Sequence, residues 1–335
     1  MKLFLNKVLF LLLISSSISG YSQVLRKRTT LLMGGRFDIT VIAKDSLTAV
    51  NSIDAIIAEI TRIENLISDW KPTSQVSEVN RNAGISSVKV DREVFELTQR
   101  AIKLSEITNG AFDVSFAAMD KIWKFDGSMT EMPSAEAIKK SVEKVGYKNI
   151  ILDSVQSTIF LKLKGMKIGF GALGEGYATD RCRDIMVTKG IKSGIVNASG
   201  DMTTWGKQTD GSDWNIGITN PFHPDDVFAA VPLNEGAVTT SGSYEKFVVL
   251  NGKRFSHIIN PATGYPATGL CSVTVFGPKA EIANGFSTSL MVMGRKAGMD
   301  LINKYPDYSW IMITDNGKII KAKNFKISQF NSKLK

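Results

Sequence analysis

The sequence predicts an α+β fold, and three observations lead to it. Apolar residues recur at helical spacing in the first third of the chain, short β-type runs dominate its second half, and no segment repeats at a fixed period. The 335 residues, 43% of them hydrophobic, are enough to bury a substantial core without disulfide staples. That balance excludes disorder, collagen and coiled coil as overall descriptions.

The elements follow in order. Residues 31–43 read as a strand after a Gly-Gly kink, and Ile53, Ile56, Ile57, Ile60, Ile63, Leu66 and Ile67 then mark one face of an amphipathic helix. A second helix has Asp91 as N-cap and Val94, Leu97, Ala101 and Leu104 on one face, and it stops at Asn109-Gly110. A third, short helix begins at Ser134 after Pro133 and ends before Gly146, and residues 149–163 alternate like a hairpin. Beyond Gly165 a glycine-rich stretch, 169–176, runs into a helix carrying Cys182, Ile185 and Met186. Short strands are expected at 195–197, 214–218, 237–239, 247–250 and 272–276, each bounded by Gly, Pro, Asn or Asp. Residues 280–293 read as a buried helix, and 310–320 as a hairpin turning at Asn316-Gly317. The mature chain is therefore one intertwined unit or two close lobes, about 23–164 and 165–335.

The N-terminus reads as a secretory signal peptide over residues 1–22. Lys2 and Lys7 flank an apolar run, Val8–Ile14, too short for a bilayer span of ~20 residues, and Gly20 and Ser22 are the small residues that signal peptidase needs. No cysteine follows the apolar core, so the exported protein is not expected to be a lipoprotein. The formal charge is +9, and part of that basicity lies in a tail, Lys318 to Lys335, that has no carboxylate. Such a tail reads as a solvated edge strand guarded by lysines, with an anionic membrane surface as the second reading. Basic helices with base-reading side chains and interleaved stacking aromatics are missing, so no nucleic-acid partner is expected.

Chemistry has a restricted set of residues to draw on. His223 and His257 are the only histidines, and Cys182 and Cys271 the only cysteines, which excludes a three-His or a Cys/His zinc centre. The glycine run before a helix suits an anion, yet it is neither a dinucleotide fingerprint nor a P-loop, and close helix–strand packing explains it equally well. Glu175 within that run is suited to hydrogen-bonding a ligand edge. His257, leaving a strand beside Ser256 and Asn260, points to contact with a ligand or a partner hydroxyl. The turn Thr239-Thr240-Ser241-Gly242-Ser243-Tyr244 either binds phosphate or satisfies its own backbone.

Several segments taken together resemble one family, the FAD:protein FMN transferases or ApbE family. Met33-Gly34-Gly35 is similar to its opening Met-Gly-Thr, and Trp70 through Asn80 to its segment of an aromatic residue followed by Ser and Asn. Asn109-Gly110-Ala111-Phe112-Asp113 resembles its Gly-Ala-Phe-Asp, and Gly174-Glu175-Gly176-Tyr177-Ala178 through Asp180 its glycine-rich helix start. Asn197-Ala198-Ser199-Gly200-Asp201 corresponds to its Gly-Gly-Asp turn, Thr240-Ser241-Gly242 to its Thr-Ser-Gly, and His257-Ile258-Ile259-Asn260-Pro261 through Gly264 to its His-Ile-Ile-Asp-Pro-x-Thr-Gly.

The resemblance implies an ApbE-like, T-fold-like α+β architecture with mixed or antiparallel sheets and packed helices. It implies an extracytoplasmic, membrane-associated enzyme that uses Mg²⁺ to cleave the pyrophosphate of FAD, transfer FMN to a Thr or Ser hydroxyl of a partner protein, and release AMP. The enzyme is expected to be periplasmic or peripheral on the outer face of the bacterial inner membrane, and its acceptor a protein of a membrane redox complex carrying a Thr/Ser flavinylation motif. By the same resemblance Met33, Trp70, Ala111, Phe112, Asp113, Glu175 and Ile259 contact FAD, His257 sits near the reacting phosphates, and Ala172, Asn284 and Thr288 hold the metal. Three positions depart from the pattern, since Gly169, Asn260 and Asn284 stand where the family has Asp. All three changes remove negative charge; Asn284 is expected to weaken Mg²⁺ binding, and the three together point to altered or lost catalysis. A silent FAD-binding relative and an FAD pyrophosphatase are the alternative readings.

Overall fold

A computed structural model describes residues 23–325 and 329–330, so the expected signal peptide lies outside the described residues. The chain opens with a hairpin, β1 (Val24–Leu32) and β2 (Gly35–Ala43), turned by Met33 and Gly34, both at positive φ (52° and 80°). That two-residue turn suits the right-handed twist of the strands. The sequence reading caught β2 and missed β1. As an edge strand β1 buries little, so it carries no alternating apolar pattern.

Helix α1 (Ser46–Ile67) starts where Asp45 accepts a 2.7 Å hydrogen bond from the Thr48 N–H, and its isoleucine row at 53, 56, 60, 63 and 67 is buried. A short α2 (Gln75–Arg81), not expected from the sequence, is capped by Ser74. Then come β3 (Val88–Lys89), α3 (Arg92–Ile107), α4 (Ala135–Ser141), and the hairpin β4 (Ile150–Asp153) and β5 (Thr158–Leu161). The glycine run leads into α5 (Gly174–Thr188). Strands follow: β6 (Ser193–Ala198), β7 (Asp201–Trp205), β8 (Trp214–Asn220), β9 (His223–Leu233), β10 (Gly236–Gly242), β11 (Phe247–Leu250), β12 (Lys253–Ser256) and β13 (Leu270–Gly277). The long α6 (Ala280–Ile302) precedes β14 (Ser309–Thr314), β15 (Ile319–Lys321) and β16 (Gln329–Phe330).

Eight strands form the main sheet in the order β1-β2-β6-β7-β10-β13-β14-β15, with every pairing antiparallel. Helices α1, α5 and α6 pack on it in a row, α1 against β1 and β2, α5 against β6 and β7, α6 against β10 and β13. The sheet runs straight across residue 164, because β2 pairs with β6 from Phe37–Ala198 to Ile42–Ser193. One hydrophobic core likewise joins Phe37, Phe95, Phe228 and Phe286. A division into lobes at 164/165 therefore does not follow the packing. Helix α6 is kinked at Gly294 (φ 72°, ψ 177°), one residue beyond the end expected from the sequence. Cys182 and Cys271 are both buried free thiols. No described helix is long and apolar enough to cross a membrane.

Candidate active site

A cleft of about 1260 Å³ opens where the glycine run, the β6–β7 turn, the end of β10, the segment after β12 and the first half of α6 meet. Ten of the eleven candidate residues line it: Trp70, Ala111, Phe112, Asp113, Ala172, Glu175, His257, Ile259, Asn284 and Thr288. Met33 does not. Its side chain packs toward Gly174, with Cε 3.4 Å from where a Cβ on that glycine would lie, and its neighbours Gly34 and Gly35 line the cleft instead.

Local chemistry explains how each wall is held. Asn80 pairs with the Ile168 backbone like a peptide, donating Nδ2–H to its carbonyl (2.9 Å) and accepting its N–H (2.8 Å), which anchors the start of the glycine run. Asp113 accepts from the N–H (2.8 Å) and hydroxyl (2.6 Å) of Ser115 and from the Tyr147 N–H (3.0 Å), while burial pushes its carboxyl up. Its first duty is thus to shape the Ala111–Phe112 wall. Asp180 caps α6 from another helix, accepting the N–H groups of Ala280 and Glu281, each at 3.0 Å. A Cβ on Gly176 would lie 2.6 Å from the Ala280 backbone, so this glycine permits the close α5–α6 approach. The packing reading of Gly176 therefore holds, and the pairing of α5 with α6 sets where Asn284 and Thr288 stand.

Trp70 is 75% exposed at the cleft, with the Lys121 ammonium 3.8 Å from its ring centroid. An exposed indole beside a cation offers a planar ligand a stacking face. On another wall, the His257 Nδ1 lies 3.0 Å from the Lys246 carbonyl oxygen. A carbonyl can only accept, so Nδ1 carries the hydrogen and Nε2 keeps the lone pair. Burial lowers the His257 pKa below its ordinary value, and the ring is neutral at pH 7.

The remaining end of the cleft is acidic. Glu175, in the first turn of α5, rests with Oε1 3.0 Å from where a Cβ on Gly35 would lie, and burial with the nearby Glu245 pushes its carboxyl up to about 7. Asp201, at the first position of β7, is largely buried and pushed well up by burial and then by Glu175 and Glu245. Its Oδ2 accepts a hydrogen bond from Asn284 Nδ2. Asp201 was missed as a site residue although the segment 197–201 was noticed. The available signal was Ser199-Gly200, whose positive φ values (50° and 109°) make the tight β6–β7 turn that delivers Asp201 to the cleft.

Ser241 was likewise left undecided, and the structure gives it a definite part. Ser287 Oγ lies 2.9 Å from the Asn284 carbonyl oxygen and 2.8 Å from Ser241 Oγ, which in turn lies 3.2 Å from Thr288 Oγ1, so the three hydroxyls form one chain. When the chain runs from Thr288 through Ser241 to Ser287, it spends the Thr288 proton inward and leaves lone pairs for the cleft. Such a hydroxyl suits a cation. The group set at this end, the Asp201 carboxylate, Asn284 amide, Thr288 hydroxyl and the chain at Ala172, consists of hard oxygen donors and fits Mg²⁺. Among the described residues no three His, Cys, Asp or Glu side chains converge as a metal site, so a bound ion would take its other oxygens from water and phosphate.

The three departures from the family pattern are unequal. At Gly169 a Cβ would lie 2.8 Å from the Ala117 Cβ, and the Asp69 carboxylate lies 3.5 Å from the same point, so an acid borders this position without being attached to it. Asn260 does not line the cleft. Its Oδ1 accepts the Ala262 N–H (2.9 Å) in an Asx turn that a neutral amide serves as well as an acid. Gly169 and Asn284 both lie in the cleft wall, and only at Asn284 does the replacement leave a polar side chain there.

Fold and cleft together define an α+β protein with a large cleft, aromatic on one wall and oxygen-rich at its acidic end. The sequence model of the ApbE family matches residues 33–312, and the chain belongs to that family. An FAD:protein FMN transferase of Klebsiella pneumoniae is 31% identical over 263 residues, 78% of this chain and 81% of that relative. Among solved structures, the ApbE protein of Thermotoga maritima superposes with a TM-score of 0.82 at 30% identity, covering 90% of this chain and 98% of its own. The flavinyl transferase ApbE of Pseudomonas stutzeri, in its apo form, gives 0.79 at 26% identity and covers 90% and 95%.

Proposed function

We propose that the protein transfers FMN from FAD to a Thr or Ser hydroxyl of a partner protein, forming a phosphoester and releasing AMP. The observation that carries this reading is a cleft of about 1260 Å³ that holds a neutral histidine, an exposed indole and an oxygen-donor end in one space. FAD is long, with aromatic ends and a pyrophosphate centre, and a cleft of mixed lining suits it.

In this reading Trp70 stacks on a ring of FAD, and the Ala111–Phe112 wall and Ile259 flank it. The N–H groups around the glycine run and Lys246 attract the phosphates. His257 Nε2 takes the proton from the attacking hydroxyl as the oxygen bonds to the FMN phosphorus and the pyrophosphate oxygen leaves with AMP. Asn284 and Thr288, with the chain at Ala172, would hold Mg²⁺, which neutralises charge on the pyrophosphate when bound. Glu175, near its midpoint at neutral pH, can hydrogen-bond a ligand edge as donor or acceptor.

Export through the N-terminal signal, a periplasmic or peripheral outer-face location and an acceptor in a membrane redox complex complete the proposal. Incubation with FAD, Mg²⁺ and a fragment bearing the family's acceptor motif, read by intact mass, tests it. An FMN mass increment that needs the metal supports transfer. Free AMP and FMN with an unmodified acceptor would instead favour the pyrophosphatase, and FAD bound but intact a silent relative.

A further inference from the structure

Both His257 and its carbonyl partner sit at the root of a hairpin that the main sheet does not hold. Among the described residues β11 and β12 pair only with each other, from Phe247–Ser256 to Leu250–Lys253. Lys246 precedes β11 and His257 follows β12, and the Lys246 carbonyl accepts from the His257 backbone N–H (3.0 Å) as well as from Nδ1–H. A lone two-stranded hairpin is marginal in water, so this one needs side-chain packing to stay in place. That packing comes from a separate apolar cluster, in which Val248 and Leu250 of the hairpin meet Trp123, Ile138 and Ile259. The segment 119–129 supplies Trp123, lines the cleft through Met119, Lys121 and Phe125, and touches the His257 stretch three times. Trp123, 6% exposed, stacks on Phe255 with ring centroids 5.7 Å apart and planes 29° from parallel. Its Nε1–H donates to the Gly264 carbonyl at 2.9 Å. Phe125 meets the His257 imidazole edge to face, the centroids 6.4 Å apart at 78°. One indole thus ties down the chain both before and after His257, and the neighbouring phenyl ring flanks the imidazole itself. Rotation of that imidazole about its Cβ–Cγ bond would give up the Lys246 carbonyl, and with it the tautomer that leaves Nε2 free.

We infer that Trp123 and Phe125 are positioning residues for His257: Trp123 latches the His257 stretch to the cleft wall, and Phe125 holds the imidazole with Nδ1–H on the Lys246 carbonyl and Nε2 free to take a proton. The inference rests on the reading of His257 as the base of the transfer and deepens it. Both residues act through His257 and not on the reacting atoms. Simple filling of space is a different role, because a leucine at position 125 fills most of the same volume without presenting a ring edge.

The imidazole is readable directly, because His257 shares the chain with one other histidine, the exposed His223, which lies outside the cleft. The full mature protein carrying H223Q and ¹⁵N-labelled histidine is recorded at pH 8 by long-range ¹H–¹⁵N correlation, without substrate, as the parent and with F125L, F125Y or W123F added. Steady-state transfer and circular dichroism melts are measured alongside. The parent should show one tautomer, protonated at Nδ1. F125L and W123F should show shifts averaged over two tautomers, with kcat lower by about 10–100-fold and KM for FAD within about twofold of the parent. F125Y, which restores the ring, should keep the parent signals and a rate within a few-fold. Parent signals in both F125L and W123F overturn the proposal. Equal losses in F125L and F125Y also overturn it, since the ring edge would then not matter, and so does a loss carried mainly by KM, which would place both residues on the ligand. Should W123F fold poorly, F125L against F125Y decides alone. If the parent transfers no FMN, the transferase reading falls, while the imidazole signals, taken without substrate, still decide this one.

Discussion

His257 shows how much one contact can decide. Its bond to the Lys246 carbonyl leaves the Nε2 lone pair available, and burial keeps the ring neutral. A base works when unprotonated, so transfer should be flat above neutrality and fall on acidification, with the acid limb below the ordinary histidine value near pH 6.5. A pH profile of transfer rate checks this, and His257→Ala should cost about 10²–10⁴ in rate while FAD still binds. Ser241 acts through a neighbour. Ser241→Ala frees the Thr288 hydroxyl to turn its proton toward the cleft, so the Mg²⁺ needed for half-maximal transfer should rise by about tenfold. Saturating metal should restore the rate, whereas a variant that merely misfolds would show no such rescue.

Between elements, the placement of α6 governs the cleft. Asp180 reaches across from α5 to satisfy two buried N–H groups at the α6 start, and its own helix approaches through Gly176. Asp180→Ala leaves both donors without a partner and should destabilise the fold by about 2–4 kcal/mol, measured by denaturant unfolding. Gly176→Ala forces a Cβ to within 2.6 Å of the Ala280 backbone. Overpacking of this kind costs about 1–3 kcal/mol, and because α6 carries Asn284 and Thr288 it should also weaken Mg²⁺ dependence and transfer together. Both residues belong to a motif that the sequence analysis tied to the ligand. Their side-chain space is in fact taken up by helix–helix contact, which places the ligand groups one turn further along the neighbouring helix.

For the whole molecule, the main sheet decides what can fold alone. Because β2 sits between β1 and β6, a break at residue 164 takes the first two strands from the other six. Fragments 23–164 and 165–335 should each lack cooperative unfolding by circular dichroism, and mixing them should restore it if anything does. Either fragment melting cooperatively by itself would show that the lobes are independent after all.

The local sequence by itself determined the elements with strong periodicity: the isoleucine row of α1, the Asn109-Gly110 stop after α3, the 149–163 hairpin, and the end of the first part of α6 at Met293. Read as residues it singled out Glu175 and His257, and the family resemblance added the other eight of the ten that line one cleft. Other features depended on neighbours remote in the chain. Edge strand β1 is too exposed to show a pattern, and Met33 points to Gly174 only once α5 is packed. Asp201 and Asn284, 83 residues apart, have no relation until the β6–β7 turn and the Asp180 cap bring them into contact. Sequence sets which groups are available. Burial and hydrogen bonding, which exist only in the packed chain, decided which of them keeps a lone pair and which simply lets two helices meet.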